Sequence, residues 1–188
     1  MKFLIACLGN IGSEYENTRH NIGFKIADKI AADAKVSFND KRYGSVAEVK
    51  YKGRTLIALK PSTYMNLSGH AVNYWLQKEK ISDESLLVVA DDINLPFGTI
   101  RIKGKGSDGG HNGLKDIIQM FGHQNYARLR FGVGNEFSKG TQVDYVLGEW
   151  SDDEEKLLPE RIEKAAEAIK SFTTIGLERT MNFFNTKK

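Results

Sequence analysis

His20, Asp91, Asp92, Asn10, Asn66 and Asn112 are the residues of this chain best suited to do chemistry. An imidazole that titrates near neutral pH can take a proton from water and return it, and a carboxylate on its other nitrogen fixes the tautomer. Asp91 or Asp92 could supply that carboxylate. The three asparagines are neutral, each with two donors and an acceptor. They suit a site that holds amide groups and polarises a carbonyl without adding charge. Loss of one oxyanion donor typically costs on the order of 100- to 1000-fold in turnover. Hydrolysis by a base-activated water is the simplest reaction these groups allow. The plain alternative is structural: a histidine bonded to backbone at a helix start, and asparagines in turns, where they tolerate left-handed backbone. His70 and His123 read as surface or packing residues, and His111, in a glycine-rich turn, as structural.

These residues fall in four polar loops, residues 9–21, 61–69, 91–98 and 104–113. Three of the loops begin where an apolar, strand-like run ends, and open α/β sheets bind ligands outside the carboxyl ends of their strands. If the loops share one edge, His20, Asp91, Asn10, Asn66 and Asn112 converge there.

The elements that must position them follow from periodicity. Residues 2–8 read as a buried strand and residues 22–34 as a helix with Ile22, Ile26 and Ile30 on one stripe. Ala47, Val49 and Tyr51 alternate and pass through Lys52-Gly53 into residues 55–60, a hairpin. A helix carrying Val72, Trp75 and Leu76 follows the second loop. Residues 86–90 are wholly apolar, as in a central strand covered on both faces, and Asp91-Asp92 opens the turn that ends it. Residues 99–103 read as a strand, a helix starts near Leu114, and Leu129, Phe131 and Val133 alternate as another strand. Residues 135–142 read as a flexible loop. Ser151 and Glu154 form a capping box for a helix facing inward with Leu158, Ile162, Ala165, Ile169 and Phe172, and Pro159 should bend or delay it. Leu177, Met181 and Phe184 suggest a last short helix. Strands alternate with helices, so the expected fold is α/β: a single domain over residues 1–188, a twisted mixed sheet flanked by helices on both faces.

Size and composition narrow the class. A chain of 188 residues, 40% hydrophobic and 27% charged, can bury its own core. Cys7 is the one cysteine, so no internal disulfide is possible, and its apolar surroundings make it a small core residue. No run reaches transmembrane length, and the start returns to glycine too soon for a signal peptide. A cytoplasmic location is expected. The net charge of +3 is unevenly spread: residues 97–130 carry six basic against two acidic groups, while residues 151–163 carry six acidic against two basic. A basic face for phosphate is therefore permitted.

Other chemistries are less well supported. Gly104-Lys105-Gly106-Ser107-Asp108-Gly109 fits G-x-G-x-x-G, but no acidic residue ends a strand about 20 residues later, where a ribose partner belongs. Its amides, with Lys103 and Lys105, could still bind a phosphate. There is no nucleotide-binding G-x-x-x-x-G-K-[ST], no G-x-S-x-G, no H-E-x-x-H and no cysteine pair. A metal site of His20, His111 and Asp91 lacks supporting spacing. No metal or cofactor is expected.

Three blocks then carry a resemblance. They are Leu8-Gly9-Asn10-x-Gly12 leading to Tyr15-x-x-Thr18-Arg19-His20-Asn21; Lys60-Pro61-x-Thr63-Tyr64-Met65-Asn66-Leu67-Ser68-Gly69; and Gly109-Gly110-His111-Asn112-Gly113-Leu114-Lys115. In order, spacing and total length they closely resemble bacterial peptidyl-tRNA hydrolase over essentially the whole chain. The resemblance implies an enzyme that cleaves the ester joining a peptide to the terminal ribose of tRNA, recycling tRNA from stalled translation. It implies His20 as the general base and Asp91 as the residue that steadies its basic form. Asn10 would tell a peptidyl chain from a free aminoacyl group, its carbonyl accepting from the first peptide N–H. Asn66, Asn112 and Met65 match positions that hold substrate, and Tyr15 and Tyr64 match aromatic contacts to the CCA end. Lys103, Lys105 and Arg130 resemble cations that meet the phosphates of the acceptor stem. Residues 135–148 resemble a mobile cover. A monomer acting without a cofactor or a membrane is implied. Ile11 departs from the family's usual proline and Tyr64 from its usual phenylalanine; neither removes a catalytic group. A catalytically silent RNA-binding module and a nucleotide-dependent oxidoreductase using the Gly104 loop are the alternatives.

Overall fold

In the first strand, β1 (Lys2–Cys7), Phe3, Ile5 and Cys7 face one apolar layer while Leu4 and Ala6 face another, so both sides are buried. The computed structural model describes residues 1–137 and 140–185. Its other strands are β2 (Asn39–Lys41), β3 (Gly44–Tyr51), β4 (Arg54–Pro61), β5 (Leu86–Asp92), β6 (Ile100–Lys103) and β7 (Ala127–Gly132). The helices are α1 (Ile22–Asp33), α2 (Ser68–Glu79), α3 (Asn112–Phe121), α4 (Gln142–Val146), α5 (Asp152–Ile175) and α6 (Leu177–Phe184).

The strands form one mixed sheet in the order β2-β3-β4-β1-β5-β7-β6. β4, β1, β5 and β7 run parallel, and antiparallel strands close both flanks. Helices α1, α5 and α6 cover one face, through Ile26, Ile30, Ile169 and Phe172; α2 and α3 cover the other, through Val72, Trp75, Leu114 and Ile117. Each fully buried aliphatic or aromatic side chain of this kind is worth about 1.5–3 kcal/mol. The expected α/β architecture with helices on both faces is what forms.

Several local expectations change. β5 continues through Asp91 and Asp92, so the two acids end a strand instead of opening a turn. β2 was not expected: it is short, polar and exposed, with no periodicity to read, and exists because Asn39 to Lys41 pair with β3. Short charged strands of this kind also protect a sheet edge. α5 runs continuously through Pro159. The carbonyl four residues earlier, on Glu155, loses its partner, but that turn is exposed and water can serve it. Within the segment read as a flexible loop, Phe137 packs on Tyr145 with ring centres 5.1 Å apart and α4 begins at Gln142; Ser138 and Lys139 lie outside the described residues.

The glycine-rich segment 104–111 takes an unexpected path. β6 is antiparallel to β7, with Lys103 opposite Arg128, so this loop leaves the sheet at the end away from Asp91. It returns past β7, where Arg128 Nη1 donates to the Gly106 carbonyl (2.9 Å) and Arg130 Nη2 to the Ser107 carbonyl (2.7 Å). Arg128 is fully buried and pairs with no carboxylate among the described residues. It offsets that cost with two more backbone carbonyls, of Gln124 and Tyr126, and by stacking 4.0 Å from the Tyr126 ring centre. The loop therefore belongs to an antiparallel flank and not to a βαβ unit, which removes the context a dinucleotide motif needs.

Candidate active site

The parallel strands β1, β4, β5 and β7 all end at one edge, and β1 pairs with β4 on one side and β5 on the other. This is a topological switch point, where a crevice opens. Chain parity decides what enters it. Leu87 and Val89 of β5 pack in the α1 layer, so Asp91, next in alternation, points to that side, and Asp92 to the side of Arg130.

His20 stands in a single 3-10 turn, Arg19–Asn21, immediately before α1. The start of α1 lies directly on β1: a Cβ at Gly23 would come within 2.5 Å of the Leu8 carbonyl oxygen. His20 Nδ1 is 2.8 Å from each carboxylate oxygen of Asp91. Burial alone would lower the pKa of His20, but the charge of Asp91 and its hydrogen bond outweigh this and raise it. Burial alone would raise the carboxyl of Asp91, but the two imidazoles facing it hold it below the usual range. Nε2 of His20 has no partner among the described residues.

Asn10 is fixed by Asn21 and Met65. Its N–H donates to Asn21 Oδ1 and its carbonyl accepts from Asn21 Nδ2, both at 2.8 Å. Its side-chain Oδ1 accepts the Met65 N–H at 2.7 Å. That oxygen, expected to accept from a substrate, has one of its two acceptor positions filled by Met65, and the Nδ2 group has no partner among the described residues. Met65 is buried, Asn66 and Asn112 are exposed, and neither asparagine side chain has a hydrogen bond within the described residues.

Asn10, His20, Tyr64, Met65, Asn66, Asp91, His111, Asn112 and Arg130 line one cavity of about 250 Å³, whose wall on the cover side is Gln142, Val143, Val146 and Leu147. Tyr64 is 57% exposed at its rim. Arg130 also pairs with Asp92 (3.4 Å) and, with Arg101 and Lys103, lines a smaller neighbouring cavity. Lys105 is exposed and lines neither cavity, and Tyr15, half-buried in the turn Ser13–Tyr15, does not line the one that holds His20.

The sequence left Arg19 and Asn21 without a role and offered His111 only as a structural residue or a metal ligand. Arg19 stacks 4.1 Å from the Tyr145 ring centre, donates to the Tyr145 carbonyl and pairs with Glu154 at 3.2 Å, tying the histidine's own turn to α4 and α5. His111, read as structural, caps α3 and also lies 2.8 Å from Asp91. The only signal available was adjacency to His20 and Asn112. His70 and His123 stand apart, paired with Asp116 and Asp83.

His20, Asp91 and His111 form the one group among the described residues able to gather three metal-ligand atoms. Their hydrogen bonds do not suit a metal. His111 Nδ1 accepts the N–H groups of Gly113 (3.0 Å) and Leu114 (3.3 Å), which leaves the ring proton on Nε2, the nitrogen a metal would need.

A family model described as peptidyl-tRNA hydrolase matches residues 4–188. Peptidyl-tRNA hydrolases of Phocaeicola vulgatus and Cytophaga hutchinsonii are each 58% identical to this chain, with all of both chains covered. That of Chlorobium phaeobacteroides is 45% identical, with 98% of each chain covered. The crystal structure of peptidyl-tRNA hydrolase from Acinetobacter baumannii is similar with a TM-score of 0.92 at 34% identity, covering 99% of this chain and 95% of that one.

Proposed function

Because the chain belongs to the peptidyl-tRNA hydrolase family and hydrolyses peptidyl-tRNA, we propose that His20 is the general base of that reaction and Asp91 the carboxylate that holds its tautomer. The observation that carries this reading is the pairing of His20 Nδ1 with Asp91 beside the cavity, which leaves Nε2 as the free basic nitrogen. Nε2 takes a proton from water as the water oxygen attacks the ester carbonyl carbon. The tetrahedral oxyanion collapses with cleavage of the bond to the ribose oxygen, which leaves with the proton returned by His20. The products are a peptide acid and a tRNA with a free hydroxyl. Proton transfer of this kind contributes roughly 100- to 10,000-fold.

Asn10 selects the peptidyl chain. With Oδ1 engaged by Met65, its Nδ2 group is a donor suited to the carbonyl of an N-acyl group. A free α-ammonium would meet it donor to donor. Asn66 and Asn112 hold the ester and its peptide with amides that no other described residue engages, and the buried Met65 lines the same cavity. Tyr64 stacks on the terminal base, worth about 1–3 kcal/mol, and Tyr15 meets the CCA end outside the cavity. Arg130 and Lys103, with Lys105 further out, face phosphates of the acceptor stem. One chain holds every group the reaction uses, which supports action as a monomer. No described helix is long and apolar enough to cross a membrane, and a tRNA substrate supports a cytoplasmic location.

The test is incubation with a blocked aminoacyl-tRNA beside its unblocked counterpart, with and without a chelator. Release from the blocked form alone, unaffected by the chelator, is expected. Equal release from both forms, or loss with the chelator, refutes the reading.

A further inference from the structure

Asp91 meets two imidazoles. His111 Nε2 lies 2.8 Å from Asp91 Oδ1, the oxygen that is also 2.8 Å from His20 Nδ1. The chemical form of His111 is fixed from its other side. As the N-cap of α3, its Nδ1 accepts two backbone N–H groups, so the ring proton sits on Nε2 and is donated to Asp91. A proton on Nδ1 would displace both backbone donors. A carboxylate gripped from both sides cannot rotate without losing one of its partners.

We propose that His111 is a positioning residue for hydrolysis, its Nε2–H holding Asp91 turned toward His20 and sharing the carboxylate with it. The proposal rests on the reading of His20 as general base. By taking up part of the carboxylate's charge, His111 also moderates how tightly Asp91 holds the imidazolium that forms on His20. The other charged groups nearby are engaged elsewhere: Arg19 with Glu154, Asp92 with Arg130, and Asp108 with the Gly110 N–H. Burial and Asp91 therefore set the titration of His20, and His111 acts on it only through its bond to that carboxylate.

Two amide substitutions separate the two bonds of the ring. His111→Asn keeps a capping oxygen near the position of Nδ1 and removes the donor to Asp91. His111→Gln reaches toward Asp91 with an amide N–H and gives up the cap. For His111→Asn, kcat should fall roughly 10- to 100-fold with KM little changed, and Tm should also fall by roughly 3–10 °C because the buried carboxylate loses a donor. The acid limb of its kcat/KM profile should move up by about half a pH unit or more, because a carboxylate relieved of one donor holds the His20 cation more tightly. For His111→Gln, the limb should stay near wild type while Tm falls by roughly 2–4 °C. A wild-type kcat and an unmoved limb in His111→Asn overturn the proposal. So does His111→Gln if it moves the limb as far as His111→Asn does. His20→Ala in the same assay keeps the two readings apart: retained turnover there removes the general base itself, whereas an unmoved limb in His111→Asn removes only the role of His111.

Discussion

His20 Nδ1 sits 2.8 Å from both carboxylate oxygens of Asp91, a residue 71 positions further along the chain, one in a turn before α1 and the other at the end of β5. His20→Ala should abolish release of peptide from peptidyl-tRNA while leaving the fold and tRNA binding intact. Circular dichroism and a binding titration run beside the turnover assay separate these outcomes. Near-normal turnover would rule out the assigned base.

The same pair sets a pH dependence whose sign can be worked out. The raised folded-state pKa of His20, where the charge and bond of Asp91 outweigh burial, means the pair adds stability fully present below about pH 6.5 and lost as pH rises through the raised value. The depressed pKa of Asp91 adds stability present above about pH 3.9 and lost as pH falls through the depressed value. Asp91→Asn removes both. Its Tm deficit relative to wild type should be larger at about pH 5.5 than at about pH 8.5. Its acid limb should move down and its kcat fall by roughly 100- to 10,000-fold. A deficit that does not vary between these two pH values contradicts the linkage.

Asn10→Asp keeps an oxygen for the Met65 N–H and loses the Nδ2 donor. Rejection of unblocked aminoacyl-tRNA should weaken, and kcat/KM for the blocked substrate should fall by roughly 10-fold or more. Discrimination equal to wild type would count against Asn10 as the selector.

Arg19→Leu should loosen the cover without touching the imidazole. It removes the stack on Tyr145, the bond to its carbonyl and the pair with Glu154, together worth about 1–3 kcal/mol of local stability. Hydrogen exchange should accelerate across residues 142–147 while the amides of β5 keep their protection. Unchanged exchange over α4 would show that Arg19 does not secure it.

Much of this molecule is written in short-range pattern. The alternation through Phe3, Ile5 and Cys7, the four-residue stripe of Ile22, Ile26 and Ile30, and the Ser151–Glu154 capping box each need only a few neighbouring residues to act, so each could be read directly. The edge strand Asn39–Lys41 and the short helix Gln142–Val146 could not, because partners elsewhere create them.

The sequence by itself determined the α/β order of elements, the family blocks and the polar loops that hold the chemistry. Tertiary structure decided which groups meet and in what chemical form. Strand parity sends Asp91 to His20 and Asp92 to Arg130, a choice the adjacent letters leave open. Arg128 and Arg130 bring a loop that starts at the far end of the sheet back to the site, carrying His111 to Asp91. The Met65 N–H, 55 residues away, holds Asn10 Oδ1 and so sets which way its Nδ2 group faces. Periodicity acts over one or two turns of chain, whereas protonation state and donor direction depend on partners that only folding brings within 3 Å.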